Sequence, residues 1–438
     1  MSSEITLLIV LIVFLITLFA GLHISTILIL TGMLGIFLIV GFNPVTFVVQ
    51  VDTFSTVASY SLTTIPLFIL MSQFIVHSDI VKYLYSLLFI MSRGKSIILG
   101  FFTIILGGFL GAVSGSASAM SAALGQLAVP ELNKHGYSRT FAASIAAAAG
   151  SLATIIPPSI GLIIYGAITQ TSISSLFMGA ILPGVLLIII LSVIVAIIHF
   201  REVKKNGIVD SVSKPTREFS NRKYIISIVT ALLIMISIFG GIYLGIFTPT
   251  EAGGVGAFIT LIAAFTLGKV NKTFIANSIK DTLRISTMVL MIMVGATIFS
   301  RFVTLSQLPQ RLIEVLEPIM DSPILIITIL AIIFFVAFMF LEGAAAIVML
   351  VPITLPLATS VGLSPLEFGI FISVLGTAGL ITPPVGISTY AVSGVTKISA
   401  NGIFKYTVIY AIAISVFGTI ILMMFPQLIN WIPEAMAK

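Results

Sequence analysis

The chain has no cysteine, one tryptophan and four histidines in 438 residues. Without a thiol it can form no disulfide, thiolate metal site or cysteine nucleophile. His23, His77, His135 and His199 lack metal-ligand spacing and read as interfacial or loop residues. Charge is scarce as well, with Lys, Arg, Asp and Glu at 8% of the residues. No HExxH, phosphate loop or GxSxG elbow occurs, which argues against an enzyme and excludes ATP hydrolysis by a P-loop. A charged pore ring is missing too, which weighs against a channel.

What fills the chain is apolar: 58% of the residues are hydrophobic and the mean hydropathy is +1.23, outside the range of soluble domains. Stretches of spanning length recur from Ile5 to Ile432, which predicts an all-α polytopic membrane protein embedded in the bilayer over nearly its whole length. The first stretch, "ITLLIVLIVFLITLFAG", lacks a basic flank and a cleavage site and reads as a retained helix. Basic residues concentrate in "FREVKKNGIVDSVSKPTREFSNRKY", Phe200 to Tyr224, which the positive-inside rule makes cytoplasmic. The loop lacks the aromatic interleaving of a nucleic-acid surface.

That loop, residues 201–223, separates two halves, 1–200 and 224–438, that share landmarks. Pro130, Gly136, Ser138 and Pro157 each find the same residue 226 positions later, at Pro356, Gly362, Ser364 and Pro383. Beyond the prolines one residue is dropped, so Gly161 and Tyr165 fall opposite Gly386 and Tyr390. This is an internal repeat of the kind that builds secondary transporters, with the interrupted segments meeting at a central site. Its sense, inverted or parallel, is not visible in these spacings.

Helices are expected near 4–21, 24–41 and 64–91. The segment 95–133 is too long for one span and carries "GAVSGSASA" at its centre, which predicts a re-entrant hairpin with its tip at Ser114 to Ser118. A second hairpin is expected over 323–358 with a tip near Glu342 to Ala344, and interrupted helices over 139–169 and 365–396. Pro157–Pro158 and Pro383–Pro384 break the latter two, and each pair withholds backbone donors from the turn before it.

Carbonyls freed in this way, with nearby hydroxyls, form a weakly charged oxygen cage suited to sodium rather than calcium or a transition metal. The first candidate ion site comprises Ser114, Gly115, Ser116, Ser118, Gly150, Ser151 and Thr154; the second comprises Gly343, Gly376, Thr377, Gly379 and Thr382. The helix restarting after Ser159 offers its N-terminal amides to an anionic substrate group. Packing of small residues and simple proline kinks are the plainer explanation of either set alone; the duplication in register favours a site. Arg301 can meet a substrate carboxylate, or snorkel from its place near a helix end. Glu342 can serve ion or substrate, or make a structural hydrogen bond. Glu251, after Thr248, suits helix capping.

"VSGSASAMSAALGQLAVPELNKHGYSRTFAASIAAAAGSLATIIPPSIGLIIYG", "GIFTPTEAGGVGAF" and "GLITPPVGISTYAVSG" together resemble the large membrane subunit of TRAP transporters, the tripartite ATP-independent periplasmic transporters, a DctM-like family. The likeness runs from "GLHISTILILTGMLGI" to the C-terminal helix. It implies a sodium-coupled importer of an organic acid in a prokaryotic inner membrane, with no cofactor besides the coupling ion. It also implies a small four-helix membrane subunit and a periplasmic substrate-binding protein as partners, inverted repeats, and an elevator motion of a transport domain. Ion ligands carried over fall around Ser114 to Ser118 and Gly343, with partners around Gly150 to Thr154 and Gly376 to Thr382. Two departures concern the second site: Glu342 stands where many relatives have aspartate, and "VLGTAGLITPPVG" lacks their acidic or amide residue. No small-subunit sequence is fused to the chain, so a separate one is expected. The rival readings are a stand-alone sodium-coupled dicarboxylate or citrate-type carrier, and a channel or membrane scaffold.

Overall fold

A computed structural model describes residues 3–93, 95–206 and 218–436. The middle of the basic loop, 207–217, lies outside the described residues, and all regular structure within them is helical. The first half begins with α1 (Ser3–Phe19), α2 (Ile24–Val40), α3 (Phe42–Val57), α4 (Thr64–His77) and α5 (Ile80–Met91). It continues with α6 (Ser96–Ser114), α7 (Ala117–Lys134), α8 (Arg139–Ser151), α9 (Ile160–Thr169) and α10 (Ile173–Asn206).

The second half opens with α11 (Asn221–Tyr243), α12 (Pro249–Thr266), α13 (Lys272–Leu305) and α14 (Leu308–Leu316). Then come α15 (Pro323–Phe340), α16 (Gly343–Ser360), α17 (Pro365–Gly379) and α18 (Ile387–Thr396). The chain closes with α19 (Ala400–Met424) and α20 (Gln427–Met436). Seven of the described helical stretches are long and apolar enough to cross a membrane.

Helix starts follow local chemistry. Ser364 and Glu367 cap α17 reciprocally, as Thr248 and Glu251 cap α12, with Pro365 and Pro249 at the first turn where no donor is needed. Ser138 caps α8 by accepting from the Phe141 amide.

Two features depart from expectation. The continuous helix over 64–91 is broken at Ser78–Asp79, where Asp79 adopts a left-handed conformation (φ 64°) and pairs with Lys269. An extra helix, α3, occupies the stretch after Gly41.

Left-handed residues mark chain reversals, and five of them recur between the halves. Gly21 pairs with Gly245, Gly41 with Gly268, Asp79 with Gln307, Gly136 with Gly362, and Gln170 with Lys397, at separations of 224 to 228 residues. The Pro157–Pro158 and Pro383–Pro384 bonds are both cis, 226 residues apart.

The helices pack in two groups. α2, α4, α12 and α13 pack on one another, helped by Gly32 and Gly35, where an added Cβ would lie 2.9 Å from the Phe299 amide and 2.1 Å from the Phe302 ring. In the other group α7 packs on α8 and α18, α15 on α17, and α16 on α9.

The ends of α6 and α7 lie together, since the Tyr137 hydroxyl donates to the Ser96 carbonyl at 2.9 Å. Arg93, Lys95, Lys134, Arg139, Lys269 and Lys397 gather towards this face, which the Phe89–His135 ring contact at 4.9 Å ties together. At the opposite face the Tyr165 hydroxyl, near the end of α9, donates to the Pro365 carbonyl at the start of α17. The two hairpins, α6–α7 and α15–α16, therefore point towards each other from opposite faces.

Candidate functional site

Both hairpin turns and both broken helices reach one cavity of about 830 Å³. Its one side is built from Gly115, Ser116 and Ser118, from Thr154 and Ser159, from Glu342 and Gly343, and from Ser373 and Gly376. The facing wall is a single stripe of α4, Ile69, Ser72, Gln73 and Val76, beside Arg284, Ile285, Met288 and Val289 of α13. The spacing i, i+3, i+4, i+7 is one face of a helix. This wall stands near the basic face, where His77 at the end of α4 contacts Asp281 at 3.2 Å.

The first turn is made by Gly115, left-handed at φ 62°, whose amide donates to the Gly111 carbonyl at 2.8 Å. A Cβ there would sit 2.9 Å from the Ile160 side chain, so glycine lets the turn meet the restarting helix. Ser116 caps α7, and its Oγ lies 3.3 Å from that of Ser118. Ser114 ends α6; its side chain lies outside what the structure describes.

Across from this turn, Thr154 Oγ1 donates to the Ser151 carbonyl at 2.8 Å and lies 2.6 Å from Thr377 Oγ1. Ser159 Oγ donates to the Thr154 carbonyl at 2.8 Å, bridging the break around Pro157 and Pro158. Gly150 has a packing role: a Cβ there would lie 2.2 Å from Ser121 Oγ and 2.4 Å from its amide, so α7 and α8 touch. Ser151 is buried and donates to the Ala148 carbonyl of its own helix at 2.9 Å.

The second expected set does not surround one point. Thr377 turns to Thr154, and Thr382, just past the end of α17, donates to the Ala378 carbonyl in its last turn. Gly343, Gly376 and Gly379 all border Phe338, whose buried side chain occupies the space between them. The second break is instead tied to the second turn by the Gly386 amide on the Met339 carbonyl at 3.2 Å. Beside Pro383 and Pro384, the Ser388 amide reaches the Leu380 carbonyl at 3.0 Å while its buried hydroxyl has no hydrogen-bond partner.

Arg301 does not line this cavity; it pairs with Asp52, Nε to Oδ2 at 2.9 Å and Nη2 to Oδ1 at 3.4 Å. The cavity's basic residue is Arg284, which the sequence reading passed over; its one legible signal was a charge a third of the way into the long helix α13. Gln73 was hidden likewise in "PLFILMSQFIVH". Glu342, the acidic lining residue, begins α16 without a side-chain capping bond and is exposed to the cavity.

Among the described residues no group of three His, Asp or Glu side chains could hold a metal ion. The oxygens present are hydroxyls and carbonyls with one carboxylate at the rim, a donor set suited to a monovalent cation. Arg284 opposite them can bind an anion.

The family model of the tripartite ATP-independent periplasmic transporter DctM component matches residues 10–428. The chain belongs to this family. DctM components are transporter permeases, not enzymes. The chain is 32% identical over 375 residues to the C4-dicarboxylate TRAP transporter large permease protein DctM of Pseudomonas aeruginosa, covering 85% of this chain and 86% of that one. It is 31% identical over 366 residues to the isethionate TRAP transporter permease protein DctMQ of Oleidesulfovibrio alaskensis, covering 83% of this chain and 57% of that longer protein. The fold is similar to the Alcanivorax borkumensis YdaH transporter, with a TM-score of 0.68 at 13% identity over 88% of this chain and 90% of that one.

Proposed function

We propose that this DctM-family permease imports a small organic anion with sodium, receiving it from a periplasmic binding protein and working beside a small membrane subunit. The observation that carries the reading is the shared cavity, where two hairpin turns and two helix breaks face Arg284. The relatives' names give C4-dicarboxylate and isethionate as substrates. A carboxylate and a sulfonate have in common a small anionic group, and one arginine with adjacent polar groups is the partner both need.

Sodium binds at the first turn, where Ser116 and Ser118 line the same cavity as Thr154, and its charge offsets the anion held nearby. Ser159 and the start of α9 lie on the substrate's path, and Glu342 stands at the cavity edge as a counter-charge to the ion. The protein sits in a prokaryotic inner membrane with its basic face in the cytoplasm. The cavity wall beside His77 is then on the inner side, so this is an inward-facing arrangement. Hairpins and broken helices move together past α4 and α13 as an elevator.

The test is uptake of labelled succinate or isethionate into proteoliposomes holding this chain, its small subunit and the binding protein, under an imposed sodium gradient. Sodium-driven, binding-protein-dependent accumulation is expected. Uptake indifferent to sodium would overturn the coupling, and full uptake without the binding protein would establish the stand-alone carrier instead.

A further inference from the structure

The left-handed residues that end α4 and α13, Asp79 and Gln307, are 228 apart, which sets the register between these two helices. The cavity wall of α4, Ile69, Ser72, Gln73 and Val76, then corresponds to Thr297, Ser300, Arg301 and Thr304 of α13. These four residues form one polar face at helical spacing, in a chain with only 8% charged residues. Gln73 lies four residues before the end of α4, and Arg301 four before the end of α13, at opposite faces of the molecule.

The counterpart holds on the neighbouring wall. Arg284 and Met288 correspond to Thr56 and Tyr60 at the same separation, and Thr56 Oγ1 donates to Thr297 Oγ1 at 3.0 Å. Arg301, Thr304 and Tyr60 are exposed, while the carboxylate that pairs with Arg301, Asp52, is buried. A charged group kept on a membrane helix calls for a use, since each costs free energy there.

We propose that Thr297, Ser300, Arg301 and Thr304 are the outer wall of the transport path, with Arg301 as its anion contact. Resting on the transport reading above, this makes Arg301 the outward counterpart of the polar wall that now faces the cavity. Asp52 engages Nε and one Nη2 hydrogen of the guanidinium, and the rest of its donor fork is left for a carboxylate or sulfonate. Asp52 thereby orients Arg301 while the mobile helices are on the inner side.

The absence of cysteine makes a direct test available. Ser300→Cys and Met288→Cys are each introduced alone and labelled with a membrane-impermeant thiol reagent, from the side each wall is assigned. The protein is reconstituted with its small subunit and binding protein. Addition of sodium with succinate, or isethionate if succinate is not taken up, is expected to change the two labelling rates in opposite directions. A Ser300→Cys rate that is indifferent, or that follows the Met288→Cys rate, overturns the proposal.

In a second measurement, Asp52→Asn with Arg301→Gln is expected to raise the half-saturating external acid concentration about tenfold, the scale of one charge-assisted hydrogen bond. The half-saturating sodium concentration should stay unchanged and Arg301→Lys should recover part of the loss. An unaltered external half-saturation overturns the proposal. Absence of uptake by the unsubstituted assembly would instead overturn the transport reading on which it rests.

Discussion

Thr154 joins the halves of the molecule, its hydroxyl 2.6 Å from that of Thr377 and 3.5 Å from the Ser373 carbonyl. If these oxygens bind the coupling ion with Ser116, then Ser116→Ala and Thr154→Val each raise the sodium concentration for half-maximal uptake. Thr382→Val is the control, because that hydroxyl is spent on the last turn of α17, and it should leave the sodium dependence unchanged. Equal sodium curves for all three would refute the first ion site. At the substrate, Arg284→Gln should raise the half-saturating acid concentration about tenfold with little effect on sodium, read from initial uptake rates. The first hairpin turn and the break after α8 were legible in the sequence because serine, glycine and proline carry a backbone signal of their own. The facing of side chains was not. Nothing in "VLGTAGLITPPVG" says that Thr377 looks across to Thr154, and nothing near Arg301 reveals that its acid lies 249 residues earlier at Asp52. Two arginines on one helix looked alike until packing assigned one to the cavity and the other to an ion pair.

At the scale of elements, glycine decides how closely the first hairpin docks. The Gly150 position leaves no room for a methyl group against Ser121, whereas at Gly254 the nearest atom is 4.0 Å away, on the Leu67 side chain. Gly150→Ala should therefore push α7 from α8 and lower thermal stability in detergent by about 1–3 kcal/mol, as overpacked cores do. Gly254→Ala should be neutral by the same melting measurement; similar melting for both would contradict the packing described. Thr248→Ala, which removes the cap of α12, should cost about 1 kcal/mol. It is detectable as faster amide exchange in the first turn. Caps, breaks and turns of this sort are local, so the sequence displays them. The interruption at Asp79 was not legible, because His77, Ser78 and Asp79 include no glycine or proline and the left-handed turn is stabilised by Lys269, an ion-pair partner from the second half.

For the molecule as a whole, orientation follows from charge. Lys397 ends α18 on the face that carries Arg93, Lys134 and Lys269, while Glu317 lies beyond α14 on the face of Arg301. The positive-inside rule then puts Lys397 in the cytoplasm and Glu317 outside. The same rule makes the hairpin α6–α7 enter from within and α15–α16 from without, and places the cavity wall of α4 on the inner side. A single thiol at either position can report this, since the chain supplies none of its own. In intact cells, Glu317→Cys should react with an impermeant maleimide and Lys397→Cys should not; after permeabilisation both should react. The reverse pattern would turn the molecule over and make the present cavity an outward-facing one. It would also exchange the roles of the α4 wall and the Arg301 wall, because the register that relates them holds in either orientation.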